Sequence, residues 1–416
     1  MRISLAHLGL RGTPTPALLR TRAAAMITLD FIDSDHLLFT FATRPLMTRE
    51  SEDPAVAPQT DPLSPHTDRM VHAEVVELPD GKVVTEKDWR LHDREAYLWP
   101  LGNGEFLLRV GGQLNLLEKD LTTRKVMESD RPIRWVQADK GSNLLVVEVE
   151  REQHTKDEHE RLAHDALLFN APAPAEDYET YGLEFRAGQP EAKQLFHIHL
   201  LQPGSLTGND EWLLQIDGSS TGNFDVVALP IATKAEKRGG KHSVLRLKSE
   251  CRPTMEMLGH DVAMISACSA HGRMEYGVTT EGKLLWKQNV PDPLWPYYER
   301  AANASRFAVQ HVSRRGGDGI NDDNLGAGEA EVFDVATGER MFATTLEPLY
   351  ATRHTVALSP DGRRLALLRQ GALEVYELPP VREAASPKVE TAAVPAVSSS
   401  SAETNPVAPA KPAIAK

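Results

Sequence analysis

Three stretches carry residue types at spacings that could do chemistry. In "HTKDEHERLAH", His154, His159 and His164 stand with Glu158 and Glu160 in a segment of helical pattern. A zinc-protease site needs two histidines at i and i+4, one helical turn apart, with a glutamate between them. His159 and His164 are five residues apart and diverge around a helix, so a solvated helix face is the better reading. In "HIH", His197 and His199 stand at i and i+2, which share one face of a strand. These two are the metal-ligand candidates. A metal there needs a third ligand and a carboxylate partner, and the sequence shows neither. "DGINDDN" gathers Asp318, Asn321, Asp322, Asp323 and Asn324. Calcium favours such oxygens, but the EF-hand order and its closing glutamate are absent. Asp, Asn and Gly are also ordinary turn residues, and an exposed polar loop is the simpler reading.

No Gly-x-Ser-x-Gly elbow, P-loop or GxGxxG occurs, so no catalytic residue is assigned and no cofactor is expected. Carboxylates are plentiful but no hydrolytic pair stands out. Trp89, Trp99, Trp135, Trp212, Trp286 and Trp295 lie in or near strand units. Rings there fill space between packed sheets more often than they stack on a ligand.

The chain has 416 residues, of which 25% are charged and 41% hydrophobic, as in a soluble globular protein. A net charge of −13 argues against nucleic-acid partners, which need a basic face. No stretch is long and apolar enough for a transmembrane helix. The first acid is Asp30, after Arg2, Arg11, Arg20 and Arg22, but Gly9, Gly12, Pro14 and Pro16 interrupt any signal-type apolar segment. The expected location is cytoplasmic, or periplasmic or secreted if a leader is missing. Two cysteines, Cys251 and Cys268, are too few for a disulfide framework and match no zinc signature. A chain reversal between them would bring them together, and a bridge would require an oxidising compartment.

Helical periodicity is scarce, confined to 152–168 and 14–25. Elsewhere one grammar repeats: a strand, a Gly-containing turn followed by Lys, Arg or Glu, and another strand. "HAEVVELPDGKVVTEKDW" (72–89), "YLWPLGNGEFLLRVGGQLNLLEKDLTTRKVM" (97–127), "MEYGVTTEGKLLWKQNV" (274–290) and "AEVFDVATGERMFATTL" (330–346) all follow it. "HTVALSPDGRRLALLRQGALEVYELP" (354–379) reads as three strands, with Pro360-Asp361-Gly362 as one turn. Units of this length suit an all-β fold, a β-propeller of four-stranded blades. Blades are expected near 27–89, 93–128, 131–205, 206–249, 253–290, 291–347 and 350–380. That makes seven, with six or eight also compatible.

The last unit lacks a fourth strand. "RISLAHLGL" (2–10) is an apolar, strand-length segment with no local partner, and pairing the two would close the ring and remove two sheet edges. The alternative is a frayed terminus. Three segments depart from the repeat: a Pro-rich acidic loop at 44–71, a charged insertion with a short helix at 150–192, and a Gly/Asp/Asn loop at 313–328. The propeller is expected to occupy 1–383. Residues 384–416, rich in Ala, Pro, Ser, Val and Thr with no aromatic residue, are expected to be disordered for want of anything to bury.

The "SPDGRRLALL…LEVYEL" unit resembles WD40-like and YVTN-type propeller blades, and "EGKLLW" resembles a fragment of the pyrroloquinoline-quinone-type repeat. "TLDFIDSDHLLFTF" (28–41), "DWRLHDREAYLWPLGNGEFLLRVG" (88–111) and "VALSPDGRRLALLR" (356–369) are similar to a group of uncharacterised acidobacterial propeller-like proteins. That resemblance covers nearly all of the chain before the tail and implies the fold, with no catalytic residue or ligand attached. The Gly-His to Trp-Asp pattern of true WD40 repeats is lacking, so their eukaryotic scaffold role does not carry over. The expected function is a non-catalytic binding or scaffold module. It would be a monomer whose partner is a protein or another macromolecule. The alternative is a hydrolase or lyase with its site in the central funnel, acting on carbohydrate.

Overall fold

In a computed structural model of the chain, the residues described are 1–10, 27–42, 69–91, 97–101, 104–131, 133–138, 140, 144–150, 178–184, 192–200, 206–218, 222–231, 240–269, 272–290, 294–303, 305–314, 325–346, 355–369 and 371–380. They contain strands and no helix. The expected helices at 14–25 and 152–168, and the tail at 384–416, lie outside them.

Alternating apolar residues and Gly turns build seven four-stranded antiparallel sheets, arranged as the blades of a β-propeller. Blade 1 holds β2 (Thr28–Phe31), β3 (His36–Ala42), β4 (Arg69–Glu77) and β5 (Lys82–Leu91). Blade 2 holds β6 (Leu98–Pro100), β7 (Phe106–Val110), β8 (Gln113–Leu117) and β9 (Thr123–Glu128). Blade 3 holds β10 (Ile133–Ala138), β11 (Leu144–Glu150), β12 (Tyr178–Glu184) and β13 (Lys193–Leu200). Blade 4 holds β14 (Leu206–Gly208), β15 (Trp212–Gly218), β16 (Asn223–Pro230) and β17 (His242–Lys248). Blade 5 holds β18 (Thr254–Met257), β19 (Val262–Ser269), β20 (Gly272–Thr279) and β21 (Leu284–Val290). Blade 6 holds β22 (Leu294–Arg300), β23 (Arg306–Arg314), β24 (Leu325–Asp334) and β25 (Arg340–Leu346). Blade 7 holds β26 (Val356–Leu358), β27 (Arg364–Arg369) and β28 (Ala372–Glu377), and takes its outer strand from β1 (Arg2–Ser4).

The closure of the ring works as the unpaired N-terminal segment implies. Arg2, Ile3 and Ser4 pair antiparallel with Glu374, Leu373 and Ala372, and the Leu5 amide donates to the Gly371 carbonyl at 2.9 Å. Only three residues of the 2–10 segment form strand. Residues 5–9 fold as a turn, and buried Leu5 and Leu8 enter the apolar cluster between blades 7 and 1. Ile3 also abuts the blade 1 hairpin turn. Gly81 there has φ +72°, and a Cβ on it would come within 2.9 Å of the Ile3 side chain. Glycine is needed at Gly81 for both reasons.

The blades are held face to face. Among the described residues, seven apolar clusters fill the seven seams between neighbouring blades. Trp89, Trp212 and Trp286 sit buried in these seams, Trp99 packs at one edge of them, and the Trp295 side chain lies outside the described residues. Each seam also carries a side-chain hydrogen bond from one blade to the next. Lys87 donates to the Leu121 carbonyl, Arg109 to that of Ile133, Gln137 to the Thr207 hydroxyl, and Asn209 to the His260 carbonyl. Trp286 donates to the Val335 carbonyl, Arg306 to that of Gly362, and Arg364 to that of Ser34.

Antiparallel strands alternate in direction, so every connection of one kind lies on one face of the ring. The turns between first and second strands, and between third and fourth, lie on a lower face. The connections between second and third strands, and the crossings between blades, lie on an upper face. The long departures from the repeat all join a second strand to a third. They correspond to 43–68 in blade 1, 151–177 in blade 3 and 315–324 in blade 6, whose own structure lies outside the described residues. The segment 150–192 is not one insertion as expected. Tyr178–Glu184 within it is the third strand of blade 3, paired residue for residue with β11. Its alternating "YETYGLE" is a strand signal that the charged flanks obscured.

Candidate functional site

The residues that converge at the ring axis come from three blades. Asp30 lies near the lower end of β2, Glu299 near the lower end of β22, and Lys140 in the turn after β10. All three are buried, at 1%, 4% and 8% exposure. The Lys140 ammonium donates to Asp30 Oδ1 at 3.3 Å and to Glu299 Oε1. Tyr297 donates to the other Glu299 oxygen at 3.3 Å. Asp30 Oδ2 has no hydrogen-bond partner among the described residues.

Two carboxyl groups thus share one ammonium. Burial pushes the Asp30 carboxyl up from its ordinary range, opposed by the attraction of Lys140. Burial likewise pushes the Lys140 ammonium down, opposed by Asp30. The void beside the trio, lined by Phe31, Pro100, Arg300 and Leu358 among others, is about 10 Å³, room for about one water. Above Asp30, Thr28 and Thr40 share a hydrogen bond of 2.6 Å, and Tyr97 bonds Thr40 at 2.5 Å. Among the described residues, the lower end of the axis is therefore cross-linked.

A larger opening lies away from the axis. A groove of about 530 Å³ runs along the upper edge of blade 4, lined by Asp217, Asn223, Phe224, Asp225, Arg246, Leu247 and Lys248. Arg246 reaches Asp225 at 3.2 Å and Lys241 reaches Asp217 at 3.5 Å. One border is fixed covalently. Cys251 and Cys268 form a disulfide with Cα atoms 5.5 Å apart, joining the blade 4–5 crossing to the end of β19. Arg252 beside it donates to the Ile216 carbonyl at 3.3 Å.

The sequence-level metal candidates occupy the outer strand of blade 3. His197 is exposed and stacks on Tyr181 with ring centroids 4.5 Å apart. Its Nε2 lies 3.8 Å from Glu179 Oε2. That carboxylate is already engaged by Arg131 and by the Tyr181 hydroxyl, each at 2.7 Å. Arg131 draws the Glu179 carboxyl down to about 2. His199 pairs with Glu179 through the backbone, and its side chain lies outside the described residues. The 154–164 and 318–324 candidates also lie outside them.

Among the described residues, two other groups have donor atoms close enough for one cation: His72 with Glu74 and Glu86 on blade 1, and His311 with Glu329 and Glu331 on blade 6. Sequence reading missed both, because each is assembled across two strands. The signal for the first was the alternation of His72 and Glu74 before the Pro-Asp-Gly turn and of Glu86 and Asp88 after it.

Neither a known protein family nor a curated protein matches the chain. Solved structures do. The chain is similar to the acylaminoacyl peptidase of Pyrococcus horikoshii in its orthorhombic crystal form. The identity is 10% and the TM-score 0.51, covering 86% of this chain and 52% of that one, so this chain spans about half of the peptidase's length. It is also similar to TolB from Acinetobacter baumannii, at 11% identity and TM-score 0.37, covering 75% of this chain and 74% of that one. A third is Saccharomyces cerevisiae Sqt1, at 9% identity and TM-score 0.39, covering 85% of this chain and 99% of that one. The likeness is one of fold. At 10% identity it assigns no activity.

Proposed function

We propose that this chain is a non-catalytic binding propeller that takes a protein partner on its upper face. The observation that carries this reading is the lower axis, where Lys140 is pinned between Asp30 and Glu299 beside a void of about 10 Å³. Small-molecule sites need a few hundred Å³. Here Lys140 holds one oxygen of each of the two converging acids.

The upper face offers what a protein interface needs. The blade 4 groove has half-buried Phe224 flanked by Asp217, Asp225, Arg246 and Lys248, an apolar spot with a polar rim. A rigid ring behind variable connections is the usual way to present such a surface. The disulfide supports an oxidising compartment, periplasmic or secreted, over a reducing cytoplasm. Kinship with acidobacterial YVTN-type propellers, and a monomeric state, belong to the same proposal.

The test pairs capture with turnover. Proteins cross-linked to the intact chain in an extracytoplasmic fraction are identified, purified and titrated back. Arg246→Glu with Lys248→Glu should weaken the recovered complex by at least about tenfold, the range of a charge reversal in an interface, with an unchanged Tm. An unaffected complex would place the interface elsewhere. The alternative of a carbohydrate hydrolase or lyase in the central funnel makes the opposite forecast. If the intact protein turns over a glycoside or lactone panel and Asp30→Asn stops it, the binding reading is wrong.

A further inference from the structure

The blade 1 hairpin gathers four ionisable side chains on one face, near its upper end. In the β4–β5 pairing, His72 stands opposite Asp88 and Glu74 opposite Glu86. A bulge sets this register. Val75 pairs with Thr85 but Val76 with Val83, so Val84 is the extra residue, and it is exposed. An unbroken ladder from the Glu77–Lys82 pair would oppose Glu74 with Thr85 and His72 with Lys87. The one-residue slip puts the acids against the histidine.

The geometry around His72 is that of a ligand held for use. Nδ1 lies 2.8 Å from Asp88 Oδ1. On the other side of the ring, Nε2 lies 3.2 Å from Glu74 Oε1 and 3.8 Å from Glu86 Oε2. The donor atoms of His72, Glu74 and Glu86 all lie within 4.8 Å of one another. Phe41 meets the imidazole edge-on, with centroids 5.5 Å apart. Glu74 is the deep member. Its side chain is 6% exposed, one oxygen faces His72, and Oε2 has no hydrogen-bond partner among the described residues. The N-terminal turn lies over it, so that a Cβ on Gly9 would be 3.9 Å from Glu74 Oε1. A buried carboxylate is costly, and a cation at the point facing all three donors would offset its charge.

We propose that His72, Glu74 and Glu86 bind a divalent transition-metal cation, with Asp88 orienting His72. A carboxylate on Nδ1–H fixes the tautomer that offers the Nε2 lone pair and raises its basicity. One imidazole nitrogen with two carboxylates suits Zn²⁺ or Mn²⁺. Ca²⁺, which takes oxygen ligands only, is disfavoured. Glu86 is 69% exposed and gives the ion a way in. The metal ties the blade 1 hairpin together beneath the turn that follows the ring-closing strand, so binding stiffens the seam between blades 7 and 1.

The test uses the full, untagged chain, stripped with a chelator and titrated calorimetrically with ZnCl₂, MnCl₂ and CaCl₂. Zn²⁺ should bind at this site with a raised Tm, and CaCl₂ should give no comparable heat. Glu86→Gln and Asp88→Asn, both exposed and safe for folding, should each weaken Zn²⁺ by about tenfold or more. His72→Gln should abolish binding at this site, with circular dichroism confirming the fold. His311→Gln, in the blade 6 cluster, should leave it intact. Absence of Zn²⁺ binding, binding insensitive to Glu86→Gln and His72→Gln, loss with His311→Gln instead, or a preference for Ca²⁺ would each overturn the proposal.

Discussion

Replacing Lys140 with methionine keeps the length of the side chain and removes its charge. What remains is Asp30 and Glu299, at 1% and 4% exposure, facing each other without a cation. All three groups are nearly solvent-free, so the screening that makes surface ion pairs nearly worthless does not apply. Removing one partner of a buried ion pair costs roughly 3–5 kcal/mol. That is a large part of the ~5–15 kcal/mol by which a domain is stable. The fall in Tm should be on the order of 10 °C. Its pH dependence follows from Asp30, whose carboxyl burial already raises and whose opposing attraction to Lys140 is now gone. A group with a raised folded pKa contributes stability that is complete below its unfolded value and is lost as pH rises through the folded value. The gap between variant and wild type should therefore narrow toward about pH 4 and widen toward about pH 8. Adding Asp30→Asn and Glu299→Gln to Lys140→Met removes the stranded charges and should restore much of the Tm. Thermal unfolding by circular dichroism across that pH range decides the matter. Equal Tm values for Lys140→Met and wild type at every pH would refute the claim that the axis is cross-linked by this lysine.

Deleting residues 1–10 strips the outer strand from blade 7 and exposes β28 as an edge; light scattering should report aggregation at temperatures where the intact chain is monodisperse. Mutating Cys251 and Cys268 together to Ser opens a loop of sequence separation 17 and should lower stability by about 3 kcal/mol in denaturant titrations, while unreduced wild-type protein shows no reactive thiol at this pair. His260 bridges Asp210 at 2.7 Å and Asp261 at 2.8 Å. Partial burial pulls its pKa down, but the two acids outweigh it and hold it above the ordinary histidine value. Its NMR titration midpoint should fall in Asp210→Asn, and the small stability it contributes is present below about pH 6.5 and lost as pH rises past its folded pKa.

The architecture was legible because it is written in local terms. Strand alternation, Gly turns and the spacing of units recover seven blades with edges within a few residues of those observed. The orphan apolar segment at the N-terminus names the partner of the incomplete last blade, since an unpaired edge and an unpaired strand each carry unmet backbone groups. The two cysteines flank a chain reversal that a strand count can locate. The chemistry was not legible, because it depends on which distant residues are brought together. Asp30, Lys140 and Glu299 are 110 and 159 positions apart in the chain, each alone in an ordinary strand or turn, and only closure of the ring makes them neighbours. His72, Glu74, Glu86 and Asp88 lie within one hairpin, yet their pairing turns on the single extra residue Val84. The same bulge recurs between the third and fourth strands of blades 1 to 6, so it belongs to the repeat, but the side chains it sets opposite one another are fixed only in the paired strands. His197 and His199 were visible at once, but the partner that would make them a site, Glu179, is held by Arg131, a contact that only the folded sheet reveals. Local sequence determined the elements and their order; packing around the axis decided which of their side chains meet.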